Sequence, residues 1–207
     1  MQTLGLFSEP VTRQQIWPGT WQQQLDQIPC EYQTNHCYSL FQRVLDTVPD
    51  LHQIIEQRVQ QWAEQVLGIT DTLYITESWI NVYNTGDSIH QHSHPNSIVS
   101  GTWYWSTPET EIRFHKQGLN SSTHWTMKLD QRPTAWSQTE VILPVEQGDL
   151  LLWPSYLQHS TTAHTSEEPR KTLSFNAMPR SWGSNFYRVG EAAAQIPERE
   201  AQQRKIF

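Results

Sequence analysis

The chain has 207 residues, a formal net charge of −7, 36% apolar residues and 10 tryptophans. This length suits one domain with a full hydrophobic core, and the aromatic content is too high for a disordered chain. No apolar stretch approaches the roughly 18 residues of a membrane-spanning helix, and the first residues lack the basic and apolar regions of a secretory signal. Because lysines and arginines form no cluster, a nucleic-acid partner is disfavoured. We expect a cytoplasmic protein with no membrane partner.

The N-terminal third is predicted to begin irregularly and then to become helical. Three prolines interrupt the first 37 residues, which argues against a long helix there. From Ser39 to Leu67, apolar residues recur at spacings of three and four, which predicts amphipathic helices that Pro49 divides into two. Cys30 and Cys37 lack the spacing of a redox or zinc motif and are interpreted as ordinary thiols.

After Gly68 the sequence is typical of β-strands that are short, rich in β-branched and aromatic residues, and separated by turn residues. The predicted strands are 73–83, 97–106, 111–116, 125–129, 140–145, 148–153, 160–165 and 170–178. Since no helices separate them, they predict a mainly β domain, an antiparallel sandwich, barrel or jelly roll, with the N-terminal α-helices packed on its outside. The single domain would comprise a helical part at 38–67, a β core at 73–178 and a polar tail at 190–207.

Histidines carry the strongest functional signal. Three of the nine lie within five residues, His90, His92 and His94, between two predicted strands. On an extended segment, side chains two residues apart point the same way, so His92 and His94 can present imidazoles to one metal ion. His90 lies two residues before His92 on the same face, and the pair His90 and His92 therefore stays open as an alternative.

The second half supplies possible partners for this group. His159 follows an apolar strand that begins after a Gly-Asp turn and ends at Pro154. Eleven residues after His159 a segment begins in which polar residues alternate with residues such as Leu173 and Phe175. The polar face consists of Arg170, Thr172, Ser174 and Asn176. Either it points into the domain and requires a polar ligand, or it belongs to an edge strand that faces solvent.

These segments together resemble the iron(II)/2-oxoglutarate-dependent oxygenases, whose fold is a double-stranded β-helix, or jelly roll, with a facial metal triad. More specifically, the chain resembles an uncharacterised subgroup found in bacteria and phages. The resemblance covers roughly residues 73–178. It rests on His92-Ser-His94-Pro-Asn-Ser, Ser100-Gly-Thr-Trp-Tyr104, Gly148-Asp-Leu-Leu-Leu-Trp-Pro-Ser and Arg170 through Asn176.

The resemblance implies that His92, His94 and His159 bind iron(II). In the family, the position of His94 is usually an aspartate. This replacement leaves a neutral set of three histidines, which keeps the full charge on the metal.

For the cosubstrate, the resemblance implies that Arg170 binds the distal carboxylate of 2-oxoglutarate, with the Thr172 hydroxyl beside it. A guanidinium pairs bidentately with a carboxylate, which agrees with this role. Asn81 and Tyr83 match an Asn-x-Tyr element that contacts the cosubstrate, and Tyr104 matches a tyrosine that shares the carboxylate with the arginine.

The implied function is that of a non-haem iron(II)/2-oxoglutarate-dependent dioxygenase. It would hydroxylate a C–H bond of a small-molecule or peptidyl substrate while 2-oxoglutarate and O2 become succinate and CO2. One alternative is a cupin-type metal enzyme, since the glycine and histidine spacings fit both cupin motifs. However, Ile98 or Val99 stands where the cupin glutamate ligand is expected. Another is a jelly-roll carbohydrate-binding module, although the histidine stretch lacks the carboxylates of calcium-dependent sugar sites.

Overall fold

The computed structural model describes residues 8–106, 110–116, 134 and 138–180. Within these residues the strands are β1 (Thr12–Gln15), β2 (Cys30–Gln33), β3 (His36–Ser39), β4 (Leu73–Tyr83), β5 (Val99–Ser106), β6 (Thr110–His115), β7 (Glu140–Val145), β8 (Asp149–Pro154), β9 (His159–Thr161) and β10 (Arg170–Pro179). The helical elements are α1 (Trp21–Leu25), a 3-10 turn (Val44–Thr47), α2 (Pro49–Trp62) and a π-helical turn (Ala63–Leu67).

The strands form two antiparallel sheets. The larger has the spatial order β1-β8-β5-β10-β4-β3-β2, and the smaller has the order β7-β6-β9. In the larger sheet, β10 lies between β4 and β5, so that Thr172 is opposite Asn81 on one side and Tyr104 on the other. This register brings the polar face of β10 to the centre of the larger sheet and excludes the alternative of a solvent-facing edge strand.

The mainly β architecture predicted from the sequence is confirmed, and β4 has the predicted bounds. The strand predicted at 160–165 is shorter, because β9 begins at His159 and its pairing with β6 ends at Thr161. The strand predicted at 125–129 and the tail at 190–207 lie outside the described residues.

The prediction that the first 37 residues are irregular was wrong for their described part, residues 8–37. They contain β1, α1, β2 and the start of β3. The three strands are four residues long and mostly polar, so neither length nor alternation distinguishes them from loops. Each is instead stabilised by pairing with a distant or neighbouring strand, as in β1 against β8 and β3 against β4.

The helical prediction for Ser39–Leu67 is confirmed only in its second half. Before Pro49 the structure has a single 3-10 turn, and Val48 is held at φ −131° and ψ 69°. A residue that precedes proline is disfavoured in the helical region of backbone conformation. A helix formed by the apolar residues before Pro49 therefore cannot continue into α2. No helix in the described part of the chain has the length and apolar character needed to span a bilayer.

Helix α2 packs on the outer face of the larger sheet, as predicted. Its residues Leu51, Ile55 and Val59 follow one helical face and are almost completely buried. They form one core cluster with sheet residues such as Leu173 and Phe175. Leu173 and Phe175 of β10 therefore pack in the core between the larger sheet and α2. The polar side chains that alternate with them point to the opposite face of the sheet.

Replacement of Gly101 by alanine is expected to destabilise the fold. On the backbone of β5, a Cβ atom at this position would lie 2.4 Å from Cζ of Phe175 and 2.8 Å from the carbonyl oxygen of Leu151. Forcing extra volume into a packed core costs about 1–3 kcal/mol of unfolding free energy. Urea denaturation would measure this loss. Ser106→Ala, at the half-buried end of the same strand, is the control and should change stability by less than about 0.5 kcal/mol.

Candidate metal centre and cosubstrate pocket

The segment that carries the paired histidines is shaped by the turn after β4. Gly86 has φ +93°, a conformation that glycine adopts without a steric penalty. Its amide donates to the carbonyl of His164 at 2.7 Å. The buried Asp87 carboxylate accepts a hydrogen bond from the backbone amide of Asn84 at 2.8 Å and so closes the turn. The chain is thereby directed back across the domain toward β9.

Backbone hydrogen bonds then hold the histidines against one another. The amide of His92 donates to the carbonyl of His159 at 3.0 Å, and the amide of His159 donates to the carbonyl of His92 at 2.9 Å. The amide of His94 donates to the carbonyl of Ser155 at 3.0 Å, just after β8. These hydrogen bonds hold the segment of His92 and His94 beside the segment of Ser155 and His159, so that the three imidazoles lie close together.

The rings of His92, His94 and His159 converge. Their ligand nitrogens lie within 4.8 Å of one another, and the Nε2 atoms of His94 and His159 are 3.3 Å apart. Nδ1 of His92 is 2.8 Å from the carbonyl of His90, and Nδ1 of His159 is 3.1 Å from that of Leu157. A neutral imidazole that donates through Nδ1 keeps a free lone pair on Nε2, so this arrangement fits a divalent first-row metal ion.

Burial keeps these imidazoles in the form that binds metal. Desolvation, with a smaller contribution from His92, lowers the pKa of His94 to about 4 and that of His159 to about 3. Desolvation also lowers the pKa of His92. Because a metal competes with protons for the same lone pairs, neutral side chains at physiological pH favour binding. The ring of Trp79 stacks on His94 with centroids 5.5 Å apart.

His90 does not belong to this group. Its side chain is exposed, and the His90 and His92 ring centroids are 6.0 Å apart. Its backbone carbonyl, rather than its ring, orients His92. Among the described residues, the group of possible metal ligands has no acidic member. The structure therefore offers no counterpart of the cupin glutamate in that part of the chain.

A buried arginine lies in the same cavity. Arg170 is only 1% exposed, its Cζ atom lies 3.8 Å over the ring of Tyr83, and one NH group donates to the hydroxyl of Thr110 at 2.5 Å. The other two donor nitrogens, Nε and a terminal NH2, are buried without a hydrogen-bond partner among the described residues. A buried cation with free donors is costly, so the arrangement fits an anionic ligand such as a carboxylate.

A polar network lies next to this arginine. The side-chain amide of Asn81 donates to the hydroxyls of Thr172 at 3.3 Å and Ser174 at 3.1 Å. The amide oxygen of Asn81 is 3.3 Å from Nε2 of His36. His36 also stacks on Tyr83, with ring centroids 4.9 Å apart and planes 8° apart. The network fixes the side chains at the floor of the cavity before any ligand binds.

Sequence reasoning missed His36, which is fully buried. It lies on the short polar strand β3, and no local pattern distinguishes it from a loop histidine. Only the pairing of β3 with β4 places it behind Asn81. Desolvation lowers its pKa to about 4, so the ring is neutral at physiological pH and can donate one hydrogen bond to the Asn81 oxygen.

The structure brings every site residue predicted from the sequence into one cavity of about 1300 Å3. These residues are Asn81, Tyr83, His92, His94, Tyr104, His159, Arg170 and Thr172. Three of the tryptophans, Trp103, Trp105 and Trp153, are buried core residues.

The sequence over residues 77–176 matches the family model described as "Putative 2OG-Fe(II) oxygenase". No curated protein matches the chain. Among solved structures, an oxidoreductase of the 2OG-Fe(II) oxygenase family from Burkholderia pseudomallei is similar, with a TM-score of 0.62 and 12% identity. The similarity covers 84% of this chain and 86% of the other.

Two further solved structures are similar. HygX from Streptomyces hygroscopicus, with nickel and 2-oxoglutarate bound, has a TM-score of 0.59 and 12% identity over 87% of this chain and 85% of its own. EctD from S. alaskensis, in its apoform, has a TM-score of 0.56 and 14% identity over 83% and 73%. The structural neighbours confirm the predicted jelly-roll fold, and the family-model match confirms the resemblance to 2OG-Fe(II) oxygenases seen in the sequence.

Proposed function

We propose that the chain, whose residues 77–176 match the family model described as "Putative 2OG-Fe(II) oxygenase", is a non-haem iron(II)/2-oxoglutarate-dependent dioxygenase. It hydroxylates a C–H bond of a small-molecule or peptidyl substrate. The proposal is carried by one observation: a buried arginine with two free donor nitrogens lines the same cavity as three converging histidines. A metal site alone does not require such an arginine.

We assign the metal site to His92, His94 and His159. Bound iron(II), with O2 and 2-oxoglutarate, supplies the oxidising chemistry that converts the cosubstrate to succinate and CO2. The three neutral imidazoles contribute no charge, so the dication keeps its full attraction for a dianionic cosubstrate. The backbone carbonyls of His90 and Leu157 keep two of the rings oriented through Nδ1.

We assign the distal carboxylate of 2-oxoglutarate to Arg170. Its unpartnered Nε and NH2 groups form the fork that matches the two oxygens of a carboxylate. Burial raises the pKa of both Tyr83 and Tyr104, so their hydroxyls stay protonated and can donate hydrogen bonds. Thr172 lies opposite Tyr104 in the sheet register and adds a hydroxyl on the same face.

The remaining proposals concern the chain as a whole. We propose one domain with the helical part at 38–67, the jelly-roll core at 73–178 and the polar tail at 190–207. Helix α2 and the larger sheet share one core cluster, which supports a single domain that contains both the helical part and the jelly-roll core. The cytoplasmic location stays a prediction from composition.

Metal content and succinate formation test the proposed function together. Purified protein should contain iron, manganese, nickel or zinc, whereas calcium or no metal would favour the carbohydrate-binding module. When reconstituted with iron(II), 2-oxoglutarate and air, the wild type should release succinate above the rate of His159→Ala, measured by mass spectrometry. A metal-loaded wild type that releases no more succinate than this variant would favour the cupin alternative.

A further inference from the structure

The cavity extends beyond the residues assigned to iron and 2-oxoglutarate. Along the inner face of the larger sheet, cavity-lining residues of β4 pair with those of β10 in steps of two. The pairs are Tyr83 with Arg170, Asn81 with Thr172, Trp79 with Ser174 and Glu77 with Asn176. Six residues along a strand span about 20 Å, more than a five-carbon dicarboxylate bound at Arg170 can reach. Glu77 therefore lies at the opposite end of this row of residues from Arg170.

Glu77 carries a negative charge that no described cation neutralises. Its side chain is half-buried, and one carboxylate oxygen accepts a hydrogen bond from the amide of Asn176 at 2.5 Å. None of the ion pairs among the described residues includes it. Arg43 also lines the cavity, but its guanidinium is paired with Asp46 at 2.5 Å.

The position of Glu77 relative to the histidines is set by Trp79. The two residues follow one another on the same face of β4, about 7 Å apart along the strand. The ring of Trp79 stacks on His94, and the side-chain amide of Asn176 donates a hydrogen bond to Glu77. A ligand group bound at Glu77 would thus lie next to the histidine cluster rather than at the remote surface.

The charges of a loaded centre leave Glu77 uncompensated. Three neutral histidines, a divalent metal and a dianionic cosubstrate sum to zero, and the remaining cation of the centre, Arg170, lies about 20 Å along the sheet from Glu77. The carboxylate in a half-buried cavity then favours a positively charged ligand group, because Coulomb attraction is stronger there than in bulk water. The adjacent indole of Trp79 offers apolar contact for the carbon atoms of such a ligand.

We propose that Glu77 and Trp79 form the substrate subsite, and that it binds the protonated amine of a small-molecule substrate. The inference rests on the proposed function in that it places a substrate beside the metal ligands. The subsite itself consists of side chains that need no metal for their arrangement. Glu77 selects the charge of the substrate, and Trp79 packs against its carbon skeleton.

Two probes that differ in charge test this subsite. The full-length protein, loaded with nickel(II) and 2-oxoglutarate, is titrated with 4-fluorobenzylamine, a cation at neutral pH, or with its neutral counterpart 4-fluorobenzyl alcohol. Binding is followed by fluorine NMR line broadening. We expect the wild type to bind the amine about two- to fivefold more tightly than the alcohol, the scale of one partly exposed ion pair. In Glu77→Gln this preference should vanish while the affinity for the alcohol is unchanged.

The control variant is Glu31→Gln, an exposed acid on β2 that does not line the cavity, and it should keep the preference. Equal binding of both probes by the wild type, no binding of the amine, or a preference that persists in Glu77→Gln would overturn the proposal. So would a loss of nickel affinity in Glu77→Gln with the amine preference intact, since Glu77 would then serve the metal. Nickel and 2-oxoglutarate binding, measured separately by calorimetry, show whether the proposed function itself has failed.

Discussion

His159→Ala is expected to lower the affinity for iron(II) or nickel(II) by at least about 100-fold, more than the loss of an outer-shell partner usually costs. Of the three clustered histidines, His159 is the most buried, and its Nε2 faces that of His94 at 3.3 Å. Alanine removes this lone pair, and among the described residues only His92 and His94 then remain in the cluster. Anaerobic calorimetry with iron(II), or nickel(II) as a stable substitute, measures the change.

His90→Ala is the matched control for this experiment. The variant loses the exposed ring but keeps the backbone carbonyl that orients His92, so metal affinity should change by less than about threefold. If His90→Ala lost metal while His94→Ala retained it, the pair of ligands would be His90 and His92, and the assignment of His94 would be wrong.

Arg170→Lys is expected to weaken 2-oxoglutarate binding by roughly 1.5–3 kcal/mol, or about ten- to hundredfold. Lysine retains the positive charge but loses the planar fork, and its ammonium cannot place two parallel donors on one carboxylate. Affinity for the metal in the absence of cosubstrate should hardly change, because Arg170 is not among the clustered ligands. Calorimetric titration of the nickel-loaded protein with 2-oxoglutarate provides both values.

Arg113→Lys is the control for the arginine substitution. Arg113 is about one-third exposed and pairs with Glu111 at 3.0 Å on the smaller sheet. The Arg113→Lys variant should bind 2-oxoglutarate like the wild type. A surface ion pair contributes about 1 kcal/mol or less to stability, so the substitution should leave the fold intact. Wild-type affinity in Arg170→Lys, with an unchanged melting temperature, would remove Arg170 from the cosubstrate site.

The β core and the convergence of the eight candidate residues on one cavity could be predicted because their signals are local or lie in recognisable motifs. Alternation over eleven residues defined β4 with its observed bounds. The His92–His94 spacing placed two imidazoles on one side of an extended segment. The alternation of polar residues from Arg170 with Leu173 and Phe175 predicted that the two sets face opposite sides of the strand. The burial of Leu173 and Phe175 in the core decides for the inward-facing interpretation of the polar set.

What the sequence did not reveal depends on tertiary pairing. The strands Cys30–Gln33 and His36–Ser39 are short and polar, and they exist because they extend the larger sheet beyond β4. His36 becomes a partner of Asn81 only through that extension. The apolar stripe before Pro49 buries Val44 and Leu45 as expected, but through a 3-10 turn rather than a helix. Burial pattern alone does not distinguish these conformations.

Anaerobic titration of the wild type, first with iron(II) and then with 2-oxoglutarate, tests the central claim most directly. Three histidines and a free arginine fork in one cavity predict that one equivalent of iron binds and that 2-oxoglutarate then adds saturably, with the visible charge-transfer band of a chelated keto acid. His159→Ala should give no band, and Arg170→Lys should give the same band at higher 2-oxoglutarate concentration. Iron binding with no band at any 2-oxoglutarate concentration would contradict the account.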